Sequence, residues 1–186
     1  MSNALRYTLA ALLSGLLLWI GWPPHASFLA PLLFVGLVPL LWIEEQISRH
    51  AAQRSRAKVL GYSYLGFLLF NALTTWWVCN ASLVGGLFAI VANAFVMAVV
   101  FLLFHVTKQQ LGKALGYFGL IVYWLGFEYF HLRWELTWPW LTLGNGLAEA
   151  PMLIQWYEWV GTLGGSLWLL GVNLLVYRAL QLWWDL

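Results

Sequence analysis

Charge is scarce in this sequence. Only 9% of its 186 residues are Asp, Glu, Lys or Arg while 62% are hydrophobic, whereas an ordinary soluble domain carries about 25% charged residues. That shortage excludes a water-soluble fold, because apolar runs here reach the roughly 20 residues that cross about 30 Å of hydrocarbon. The nine Lys and Arg, for a net charge of +2, are too few and too scattered for a nucleic-acid footprint. Cysteine occurs once, at Cys79, which excludes an internal disulfide, and nothing near it has the ligand spacing of a zinc or redox site. In Trp76-Trp77-Val78-Cys79-Asn80 it borders apolar and amide side chains, with no cation or base to activate it as a nucleophile. A Gly-x-Ser-x-Gly elbow, a phosphate-binding glycine loop and any 20-to-50-residue repeat are also missing. No catalytic residue, metal site or cofactor is assigned from the residues.

What the sequence does have is apolar runs, at about residues 4–22, 28–43, 60–79, 86–107, 114–131 and 156–178. They predict an all-α integral membrane protein, a polytopic bundle of about six transmembrane helices. The first could pass for a signal peptide, but Trp19-Ile20-Gly21-Trp22-Pro23-Pro24 is a poor cleavage site, so it reads as a retained helix. The second is short and holds Pro31 and Pro39, so a shallow hairpin with the first also fits. Lys and Arg in short loops set orientation. Arg6, Arg49, Arg54, Arg56, Lys58, Lys108, Lys113 and Arg178 fall on one side and Arg133 on the other, which predicts both termini in the cytoplasm. Six crossings then leave a long outer loop at about 132–155.

Eight tryptophans gather on or beside that outer side: Trp22, Trp76, Trp77, Trp134, Trp138, Trp140, Trp156 and Trp159. Plain interfacial anchoring is one reading, but such belts are two-sided, and only Trp42, Trp183 and Trp184 lie at the inner face. The other reading is an aromatic platform that handles lipid or an amphipathic ligand. Ionisable groups at or within the membrane are costly and mark functional candidates. Glu128 is one, with His131 on the same helical face at i, i+3; a hydrogen-bonded pair, a contact to substrate and a metal site all stay open. Glu158 and Gln155 sit in the first turns of the sixth helix behind Pro151, and Arg133 suits lipid phosphate or the carboxylates Glu128 and Glu135. Asn71, Asn93 and Asn173 read as amides bonding between helices, and Gly112-x-x-x-Gly116 and Gly161-x-x-x-Gly165 have close-packing spacing. The mid-helix inventory shows a few amides and no buried charge pair, which argues against an ion or proton route.

Pro139-Trp140-Leu141-Thr142-Leu143-Gly144, then Pro151-Met152-Leu153-Ile154-Gln155, then Gly161-Thr162-Leu163-Gly164-Gly165-Ser166-Leu167 and Asn173, resemble the signature of bacterial apolipoprotein N-acyltransferases. Glu128-Tyr129 with Arg133 resembles the stretch before it, and Phe28-Leu29-Ala30-Pro31-Leu32 with Val35-Gly36-Leu37-Val38-Pro39-Leu40-Leu41 is similar to that family's first helical hairpin. The resemblance implies a bacterial inner-membrane location and the transfer of an acyl chain from phospholipid to the N-terminal amine of a diacylglyceryl-lipoprotein, through a thioester. It places the thioester cysteine, with a glutamate and a lysine, in a nitrilase-like domain beyond residues 1–186, so the chain is expected to be the membrane region alone; Cys79 does not match the nucleophile. Partners implied are phospholipid, diacylglyceryl-lipoprotein and a missing or separate nitrilase-like domain. Pro139 and Trp140 match the family's outer-loop Pro-Trp and are the leading candidates for substrate contact, followed by Glu128, Arg133, Gln155 and Glu158. Rival classes are a small transporter or channel, which needs a polar path, and a non-catalytic membrane scaffold.

Overall fold

Six α-helices carry nearly all of the apolar runs. The computed structural model describes residues 2–50, 55–135 and 137–184. It comprises α1 (Asn3–Ile20), α2 (Val38–His50), α3 (Ser55–Thr75), α4 (Leu83–Leu111), α5 (Lys113–His131) and α6 (Tyr157–Trp184). Short 3₁₀ segments connect them at Ser27–Phe34, Trp76–Asn80, Pro139–Leu141, Leu143–Leu147 and Pro151–Leu153. No strand occurs among the described residues. Arg54, counted above in the charge balance, lies outside them.

Four segments are long and apolar enough to cross a membrane: Asn3–Ile20, Ser27–Arg49, Leu83–Leu111 and Tyr157–Trp183. The helices α3 and α5, of 21 and 19 residues, reach about 28–31 Å at 1.5 Å per residue, but polar side chains dilute them. Phe88, Phe118 and Leu175 are exposed on the bundle's flanks, where a soluble protein would turn polar groups outward and hydrocarbon covers apolar ones. The interior is aromatic: Phe67 meets Trp124 at 5.5 Å and Phe101 meets Phe104 at 5.2 Å between ring centroids. At Gly15 and Gly66 α1 and α3 approach closely; a Cβ on Gly15 would stand 2.5 Å from the Gly66 carbonyl oxygen.

The run at 28–43 is two pieces rather than one helix. A 3₁₀ segment containing Pro31 ends at Phe34, turns follow, and α2 starts at Val38 with Pro39 in its first turn, where its missing N–H costs nothing. The backbone groups freed at this break are met by side chains from other helices. Asn173 of α6 accepts from Leu37 N–H at 2.8 Å and donates to the Leu33 carbonyl at 2.8 Å. Ser14 of α1 donates to the Gly36 carbonyl. Asn93 of α4 donates to Asn71 of α3 at 2.7 Å, so all three amides join elements as expected.

The expectation of no buried charge pair is overturned. The helices α2 and α4 run past the apolar stretches to His50 and Leu111, and this buries Glu44, Glu45, His105 and Lys108 at the bundle end opposite Trp140. Lys108 Nζ donates to Glu44 and, at 2.7 Å, to Glu45. His105 Nδ1 lies 2.7 Å from Glu44 Oε1, and Arg49 and Lys113 reach Glu45 at 2.9 and 3.0 Å from the partly exposed rim. Each carboxylate therefore has several donors, which is what makes a buried charge tolerable. Gly116 allows α5 to lie against Lys108: a Cβ there would be 2.4 Å from the Lys108 Cβ. Lys108→Met is expected to leave two buried carboxylates short of their shared cation and to cost about 3–5 kcal/mol; thermal unfolding of the detergent-solubilised chain measures it, and an unchanged midpoint would contradict the assignment.

Candidate functional site at the tryptophan-rich loop

The segment after α5 contains glycines and prolines that stop a helix from forming, and its backbone groups are held instead by side chains from α5 and α6. Glu128, 2% exposed near the end of α5, accepts from Leu143 N–H at 2.8 Å and from Trp124 Nε1 at 2.9 Å. Gly144 N–H donates to Ser166 Oγ at 2.9 Å, and Tyr157 donates through its hydroxyl to the Gly144 carbonyl at 2.9 Å. Asn145 Nδ2 closes the turn onto the Pro139 carbonyl at 2.9 Å. Only glycine fits at 144, where a Cβ would stand 2.0 Å from the Thr162 carbonyl oxygen.

Tyr157 reaches this loop because α6 is kinked at Gly161, whose φ of 64° suits a residue without a Cβ. The kink folds the first turn of α6 back, so that Tyr157 packs on Gly165. The expected close-packing pair Gly161 and Gly165 thus serves to shape α6: one glycine bends the helix and the other makes room for the tyrosine.

The pinned loop holds Trp140 out at 48% exposure. Its ring stands edge-on to Trp77 at 5.9 Å and to Trp138 at 4.8 Å, the arrangement aromatic quadrupoles favour. Trp140 and Trp77, together with Trp19, Trp22, Trp76 and Leu141, line a cleft of about 490 Å³ that also touches Pro23, Pro24 and His25. Trp22 is its fixed wall, buried against Phe70 at 5.1 Å. Pro139 opens the 3₁₀ turn that carries Trp140.

The other expected site residues disperse. Glu128 and His131 are both buried, so the shared face is right, yet Glu128 bonds to Trp124 and Leu143 while His131 Nε2 has no partner. Ser166 adjoins the Glu128 carboxyl, with its hydroxyl engaged by Gly144 and Thr162. Arg133 lays its guanidinium over the Tyr129 ring at 4.5 Å. Gln155 is exposed and donates to the Pro151 carbonyl at 3.0 Å, and Glu158 is exposed in the first turn of α6; neither lines the tryptophan cleft. No group of three metal-capable side chains occurs among the described residues. Cys79 packs against Gly86. The loop's anchors Tyr157 and Ser166 went unrecognised because their partners are backbone atoms of a distant segment, which carry no side-chain signature.

Apolar helices bundled in this way, with a cleft walled by indoles at one end, define a multi-pass membrane domain. Residues 14–175 match the model of the apolipoprotein N-acyltransferase N-terminal domain, and the chain belongs to that family. It is 34% identical over 166 residues to the apolipoprotein N-acyltransferase of Chlorobaculum tepidum, an alignment that covers 89% of this chain and 30% of that protein. The chain thus spans less than a third of its relative's length. No solved structure matches it.

Glu128→Leu removes the acceptor of Leu143 N–H. Hydrogen exchange at residues 141–147 is expected to quicken about tenfold, the equivalent of about 1.4 kcal/mol, and unchanged exchange would show that Glu128 does not pin the loop.

Proposed function

We propose that this chain is the membrane-embedded part of a lipoprotein N-acylating system, and that its tryptophan cleft receives the lipid portion of phospholipid or diacylglyceryl-lipoprotein. The carrying observation is the half-exposed Trp140, presented by a loop tied to both α5 and α6 into a cleft of about 490 Å³ walled by aromatic rings. A belt tryptophan that only anchors the protein needs no such support. The relative's name supplies the reaction: acyl transfer to an apolipoprotein. The thioester chemistry is assigned to a nitrilase-like domain, in the same polypeptide or a partner, seated over the cleft.

Within this reading Pro139 and Trp140 contact lipid, and Glu128 positions them through Leu143. Arg133, Gln155 and Glu158, exposed around the same end, serve as its polar rim toward a headgroup or the catalytic domain. The Trp140 end faces the periplasm and both termini face the cytoplasm, because Arg6, Arg49, Arg56, Lys58, Lys113 and Arg178 gather at the opposite end. A transporter would need a polar route between the ends. The interior between them is built from Phe67, Phe70, Phe101, Phe104 and Trp124, with the Asn71–Asn93 pair satisfied within it, so the structure favours lipid handling.

Two measurements test this. Binding of a diacylglyceryl lipopeptide to the chain in nanodiscs is expected to weaken about tenfold for Trp140→Ala, about 1.4 kcal/mol, with Trp140→Phe intermediate; equal affinities would refute the cleft's role. Cys79, the single cysteine and half-buried beside the cleft, is expected to react with a membrane-impermeant maleimide added from the periplasmic side. Labelling from the cytoplasmic side alone would invert the topology.

A further inference from the structure

A second groove, of about 460 Å³, opens between the first half of α4 and the segment that follows α5. One wall is an apolar strip at helical spacing, Phe88, Ala92 and Val96, and the other carries His131, Trp134 and Trp138. His131 Nε2, Trp134 Nε1 and Trp138 Nε1 are all buried and have no hydrogen-bond partner. Buried indole N–H groups are normally paired, and the two unpaired ones among the described residues belong to the same groove. Behind His131 lies a chamber of about 10 Å³ that also touches Glu128, whose Oε2 is unpartnered; it has room for about one water.

The unmet needs on the groove wall are for acceptors, since an indole only donates. An anionic acceptor fits poorly: the charged residue lining the groove is Glu135, and no Lys or Arg lines it. What remains is a neutral acceptor attached to an apolar chain, the description of an acyl ester. We propose that this groove holds the diacylglycerol portion of a membrane lipid, with its ester carbonyls accepting from Trp134 and Trp138 and an acyl chain lying along Phe88, Ala92 and Val96. The site stands apart from the Trp140 cleft and does not depend on the role assigned there, although Trp138 touches Trp140.

The test compares two phosphatidylethanolamines of equal chain length, one ester-linked and one ether-linked, by native mass spectrometry of the detergent-purified chain. The ester lipid is expected to be retained about fivefold more, because the ether lacks the carbonyl acceptors. Trp134→Phe with Trp138→Phe keeps the rings, removes both N–H groups and is expected to bring the ratio to about one. Equal retention of the two lipids by the unmodified chain overturns the proposal, as does an ester preference that survives in the double variant. Displacement of the bound lipid by a diacylglyceryl lipopeptide assigns the site to the lipopeptide's glyceride, and retention assigns it to a resident bilayer phospholipid.

Discussion

Hydrocarbon offers no hydrogen bonds, so a polar group carried into the bundle is costly unless another protein group or a bound molecule meets it. That constraint explains the positions of nearly all the buried polar residues. A single long helix over 28–43 would satisfy its own backbone, but Pro31 and Pro39 prevent it, and the resulting break exposes the Leu33 and Gly36 carbonyls and the Leu37 N–H. Asn173 and Ser14 answer those three groups. The same two residues thereby fasten the break to α6 and α1. A local interruption in one helix has become the joint that holds three elements together.

The rule operates again at the Trp140 loop, with a functional consequence. The turns between Pro139 and Leu147 leave N–H and carbonyl groups that a helix would have paired internally, and Glu128, Ser166, Tyr157 and Asn145 take them. Fixing the backbone in this way removes the freedom Trp140 would otherwise have to fold back onto the membrane surface. With the indole held in place, the proposed lipid contact would carry little ordering cost at binding. An aromatic belt gains nothing from such support, and the proposed function takes the aromatic-platform reading for that reason.

Hydropathy made the helices legible, and the mid-helix amides could be read as ties because an unpaired amide in lipid has no other stable use. Hydropathy failed at helix ends. A drop in apolar content after Ile43 and Thr107 marks where side chains become polar, but the helix continues as long as those side chains find partners. Glu44-Glu45 on α2 and His105 with Lys108 on α4 are separated by more than 60 positions, and one sequence does not reveal that they meet. Glu128 and His131 illustrate the same limit: helical spacing put them on one face, but the partner that matters for Glu128 is a backbone amide 15 positions away. The Pro139-Trp140 pair was singled out by family resemblance, since composition alone does not distinguish Trp140 from its neighbours.

The two ends of the bundle meet the constraint in opposite ways. At the Glu44 end, charges are gathered inward and paired, and Lys108 is shared between two carboxylates, so the end is closed by its own electrostatics. At the Trp140 end no Lys or Arg lines either cleft, Arg133 is occupied with the Tyr129 ring, and the unmet groups include neutral donors. Under the proposed role, recognition there rests on shape, aromatic surface and hydrogen bonding to uncharged oxygens. Those are features of the acyl and glyceride parts of a lipid, common to molecules with different headgroups. Under the proposed role, a site built this way would take molecules that share a diacylglycerol body whatever their polar ends.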